Sequence, residues 1–157
     1  MNYLKEFLRG RLFGHPAHIM LVHFPIALFP MGAFFDAASF YFNNTNLSLF
    51  SFYSITAGAA AGWTALIFGL IDLLKISPEN KAFNTALLHG GLNFLWLTVF
   101  TIFAGLGLST YPYIKVPSIG KLAAELSAAA GMLYSNYLGG VLLLKYDIGK
   151  EKSRSTD

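Results

Sequence analysis

Three histidines stand close together in GHPAHIMLVHFPIALF, residues 14–29, and a fourth lies in ALLHGGLNFLW, residues 86–96. His23 has Val22, Phe24, Ile26 and Leu28 around it in the sequence. An imidazole among apolar neighbours costs free energy unless it is coordinated or hydrogen-bonded. Two neutral imidazoles on separate rigid helices can ligate a haem iron from opposite faces. His23 and His89 are therefore the expected axial pair for a haem b, with His18 as the alternative partner of His89. Gly90 and Gly91 leave room for a macrocycle, and Asn93 and Trp96 share a helical face with His89. Gly58, Gly62, Ala65, Gly69 and Asp72 form a small-residue face that ends in an acid. Close helix packing accounts for Gly58 and Gly62, whereas Gly69 suits either packing or the cofactor. A hydrogen bond from His23 or His89 to Asp72 is the competing account of the histidines. His15 and His18 suit backbone hydrogen bonding near the headgroups, or, with His23, a metal site or a small transporter.

These side chains must be held in a membrane. Of the 157 residues, 55% are hydrophobic and only 12% charged, whereas a soluble domain carries about 25% charge. There is no cysteine, so disulfides, thiolate chemistry and cysteine-ligated iron–sulfur clusters are excluded. The sequence pI near 9.2 does not point to nucleic acid, because the basic residues flank apolar runs. Apolar stretches at about 17–42, 49–74, 82–108 and 118–144 each reach the roughly 20 residues needed to cross a bilayer. The expected fold is all-α, a single polytopic domain of four transmembrane helices, with 145–157 as a charged cytoplasmic tail. The first stretch is too long for a signal-peptide core, and residues 2–16 are expected to lie as an amphipathic helix in the headgroups. No internal repeat is visible. Four short-looped helices without an inverted repeat argue against transport.

Charge sets the orientation. Nine of the eleven Lys and Arg fall in the N-terminal segment, the second-to-third connection and the C-terminal tail. Basic residues collect on the cytoplasmic side, so both termini are expected to face inward across a bacterial inner membrane. Counting from the helix starts puts His23 and His89 both roughly 10 Å deep on that side. Arg9, Arg11, Lys75 and Lys81 are the cations available there for haem propionates. Asp36 and Glu125 form a second layer at the other end. They either share a proton and hold two helices together or mark a proton exit or a quinol site. Lys115 and Lys121 are read as belonging to the outer connections.

The stretches GHPAHIMLVHFPIALF, AGWTALIFGLIDLLKI, LLHGGLN and YLGGVLLLKYDIG occur in that order over residues 14–149. Together they resemble the domain-of-unknown-function 2231 family of small four-helix bacterial membrane proteins. The resemblance implies pattern positions at His15, Pro16, His18, His23, Pro25, Asp72, His89, Gly139 and Gly140. The chain departs from it at Ile19, where a proline is expected. Relatives fused to Rieske-type domains imply electron transfer. The expected function is a haem b-binding, cytochrome b-like electron carrier in the lipid bilayer rather than an independent enzyme. Its expected partners are other membrane redox subunits and a quinone. The alternative is a cofactor-free structural or assembly subunit. An enzyme reporter that works only in the periplasm, fused to Asp157, should be inactive; full activity would overturn the orientation.

Overall fold

The computed structural model describes residues 10–13 and 15–149. Four long helices dominate it: α1 (Ala17–Phe42), α2 (Thr45–Leu73), α3 (Phe83–Thr110) and α4 (Ile119–Lys145). All four are long and apolar enough to cross a membrane. In lipid, backbone N–H and C=O groups must be satisfied within the chain, and a continuous helix does this along its whole length. Sequential helices run antiparallel and pack side by side, and α4 closes the ring against α1. Helix α2 begins at Thr45, earlier than expected, because Asn44 caps it by accepting from the Asn46 N–H at 2.9 Å. The α1–α2 turn is tied from inside, since the Ser39 hydroxyl donates to the Asn44 carbonyl at 2.8 Å and lies 2.6 Å from the Ser48 hydroxyl.

Ahead of α1, a two-residue strand β1 (Arg11–Leu12) pairs antiparallel with β2 (His15–Pro16). An extended ribbon thus replaces the end of the expected interfacial helix; residues 2–9 of that helix lie outside the described residues, as do 150–157 of the tail. The Ala17 N–H donates to the Gly10 carbonyl at 2.9 Å and anchors the ribbon to the start of α1.

The core sits midway along the bundle. Phe29 of α1 stacks on Phe100 of α3, with ring centroids 4.0 Å apart and planes 4° apart. Ile55, Leu97, Ala128 and Met132 surround them. Gly58 lets α2 approach, since a Cβ there would lie 2.9 Å from the Phe29 ring. A smaller cluster of Ile76, Ala82, Ala86 and Leu142, joined by Tyr146 and Ile148, closes the end where α2 and α4 finish.

Phe100→Ala should lower stability by roughly 2 kcal/mol, because the cavity remains while the transfer contribution is small in lipid. Phe94→Ala, on an exposed ring, should cost little. Thermal unfolding in detergent compares the two.

Candidate functional site

His18 and His89 meet inside the bundle, with ring centroids 6.3 Å apart and planes at 86°. Each is held in the same way by the next helix. His18 Nδ1 is 2.9 Å from the Ala65 carbonyl of α2, and His89 Nδ1 is 2.7 Å from the Ser135 carbonyl of α4. A carbonyl can only accept, so Nδ1 carries the proton of the bond in both rings. One turn beyond each carbonyl stands a glycine. A Cβ on Gly69 would lie 2.8 Å from His18 Cε1, and one on Gly139 would lie 2.8 Å from His89 Cε1. The Ser135 hydroxyl returns a bond to the His89 carbonyl at 3.1 Å.

Asn93 Nδ2 lies 3.3 Å from Nδ1 and 3.2 Å from Nε2 of His89. Near-equal distances put the amide over the ring rather than in line with a nitrogen lone pair. Its well-directed bond runs to the His89 carbonyl at 2.9 Å. Both histidines line a cavity of about 440 Å³, with Gly69, Gly90, Gly91, Asn93 and Gly139 among its walls. Most of the remaining lining is apolar, and Asp72 stands at the cavity with its carboxylate 2.7 Å from Lys75 Nζ.

The structure therefore brings together His18, His89, Asn93 and Gly69 of the expected set. It does not bring His23, which is exposed on the outer surface of α1. The depth count failed because α1 and α3 do not start at one level: His18 is the second residue of α1, His89 the seventh of α3. Their starts are offset along the bundle by roughly 8 Å. Trp96 is also absent from the cavity; its indole packs against Gly131 and its Nε1 is buried without a partner. Neither expected bond to Asp72 forms, since His89 turns to Ser135 and Asp72 to Lys75. His15 is exposed on β2. Among the described residues no group of three or more His, Cys, Asp or Glu is placed to hold a metal ion by itself.

The second polar layer differs from the expected carboxyl pair. Lys121 lies within α4 rather than on a connection, and its ammonium donates to Asp36 Oδ2 and lies 2.7 Å from Glu125 Oε1. Lys121, with Ser135, is what the sequence reading missed. An i, i+4 spacing from Lys121 to Glu125 was the available signal.

The two hairpins also share a pattern. HIMLVHFPIALF from His18 and HGGLNFLWLTVF from His89 have the first His, the Leu three residues on and the Phe eleven on in common. The two histidines face each other, and so do the two phenylalanines.

Four apolar antiparallel helices, with polar side chains turned inward, define a polytopic membrane protein built as a four-helix bundle. The chain belongs to the DUF2231 family, whose model, described as a predicted membrane protein, matches residues 14–152. No curated protein and no solved structure matches it.

Gly69→Ala and Gly139→Ala should each displace a histidine ring and lower stability by about 1 kcal/mol, the worth of the hydrogen bond lost. Gly140→Ala, where a Cβ meets nothing within 4 Å, should not. Unfolding midpoints in detergent separate the two cases.

Proposed function

We propose that this protein is a haem b-binding electron carrier of the membrane, in which His18 and His89 would hold the iron. The observation that carries the reading is the geometry of the two rings. Imidazoles bound to one metal from opposite sides, at about 2 Å per bond, have centroids roughly 6 Å apart; those of His18 and His89 are 6.3 Å apart. Each Nδ1–H is committed to a backbone carbonyl, the arrangement that fixes a ligating histidine's tautomer and raises its basicity. Helix backbones supply both carbonyls, so the rings are held before any ligand arrives. The cavity of about 440 Å³ lies in the range of small-molecule and cofactor sites. Gly90 and Gly91 keep side chains out of its wall. Arg11, Lys75, Lys81 and Lys145 are described cations at the same end, and Lys75 already stands beside the cavity acid Asp72.

Haem held by two imidazoles supplies one-electron exchange. The protein's part is to hold two neutral nitrogens rigidly and to keep water from them with the apolar lining. In this reading the chain is a subunit that passes electrons to or from another membrane redox protein or a quinone. It lies in a bacterial inner membrane with both termini cytoplasmic.

A second reading rests on the same two hydrogen bonds. Without a cofactor, His18 and His89 lock α1 to α2 and α3 to α4, and the protein is a structural or assembly subunit.

Absorption spectra of protein expressed with ample haem decide between the two. The first reading expects a Soret band and a low-spin reduced spectrum. His18→Ala and His89→Ala should each abolish the low-spin signal, and His23→Ala should keep it. No Soret band in the wild type leaves the scaffold.

A further inference from the structure

At the other end of the bundle three charged side chains meet, two of them fully buried. Asp36 is 1% exposed and Glu125 0%, and Lys121, the one cation between them, contacts both. Two carboxylates against one ammonium leave a net negative charge among lipid-embedded helices, which is costly. Both carboxyls crowd around the one Lys121 ammonium. Two carboxylates only accept and repel each other, so their sharing of one ammonium is eased when one of them carries a proton. Both Glu125 carboxyl oxygens are buried without a hydrogen-bond partner, and Oε1 has only the ion pair to the Lys121 ammonium at 2.7 Å.

A second, independent observation points to access. A cavity of about 170 Å³ runs beneath the 111–118 loop to Lys121, lined by Ser48, Ser51, Thr110, Lys115 and Ser118 among apolar residues. Ser51 is 1% exposed and its hydroxyl, on this cavity, has no partner. The Phe103 ring lies 5.7 Å beneath the Lys121 ammonium, and Lys115 is the one further charged residue in the lining. Towards the histidine end, the stacked Phe29 and Phe100 and the apolar core fill the way.

We infer that Asp36, Lys121 and Glu125 form a proton-binding site that exchanges through the cavity beneath the 111–118 loop and not through the histidine end. Loading breaks one O–H bond of a hydronium ion at the loop end and forms one on a carboxyl oxygen, leaving water, with no change of oxidation state. The loaded site is neutral, with one carboxylate, one ammonium and one carboxylic acid. The cavity hydroxyls, with the buried, unpaired Ser51 among them, can relay the proton.

Infrared spectroscopy of the protein in lipid nanodiscs at neutral pH tests this. The wild type should show the carbonyl stretch of a buried protonated carboxylic acid, shifted down in D2O. Glu125→Gln and Asp36→Asn should each remove it, since one carboxylate then faces one ammonium; two variants are used so that unfolding of one does not decide the matter. Absence of the band in the wild type, or its survival in both variants, overturns the proton site. Ser51→Leu should slow deuteration of the band several-fold, and Gly90→Leu, at the histidine cavity, should not. The reverse pattern overturns the access route.

Discussion

A polar group buried in a bundle surrounded by lipid has to find its partner within the protein, and the architecture at both ends follows from that constraint. At one end, the spare acceptor capacity of helix carbonyls is used by two imidazoles. Each histidine reaches across to a neighbouring helix, and each needs a glycine one turn beyond the carbonyl so that the ring can lie against bare backbone. The gain is a pair of interhelical hydrogen bonds, each worth about 1 kcal/mol in a membrane. The larger consequence is positional, because both rings are fixed in tautomer and in place by backbone atoms that cannot move independently of their helices.

At the other end the same constraint is met by charge. Lys121 has a long side chain that reaches Asp36 on a different helix and Glu125 one turn further along its own. Such a cluster is worth little as a source of stability, because the desolvation of each charge offsets most of the attraction. Removing Lys121 leaves two buried carboxyls without their cation, whereas removing either carboxyl leaves a single ion pair. Between the two polar ends, Phe29 on Phe100 and the residues around them form a dry middle. The molecule is thus two polar sites separated by an apolar core, one built of neutral rings beside a large cavity and one of charges beside a smaller one.

The likeness between the hairpins belongs to this picture. His18 and Phe29 on α1 recur as His89 and Phe100 on α3, and each pair meets across the bundle. The carbonyl-and-glycine seat on α2, Ala65 and Gly69, recurs on α4 as Ser135 and Gly139. Three shared residues in a stretch of twelve are too few to stand out as a repeat in a sequence rich in Leu and Phe. Packing makes the relation visible because equivalent residues touch.

Much of this protein is decided by composition and order along the chain. Four apolar runs longer than a bilayer is thick, separated by short polar connections, have few ways to fold in lipid. The sequence alone was therefore sufficient for four helices, their bounds to within a few residues, and two layers of ionisable groups. It also singled out His89, Asn93 and Gly69. It did not say which histidine of α1 faces inward. Distance along a helix becomes depth only once the starting level is known, and α1 and α3 start at different levels, since the second residue of one meets the seventh of the other. Lys121 was misplaced for a related reason: a lysine three residues into a helix looks exposed until the neighbouring helix is seen to offer it a buried carboxylate. Rotation and stagger of helices are collective results of packing, and those two quantities turned His23 outward and His18 towards His89.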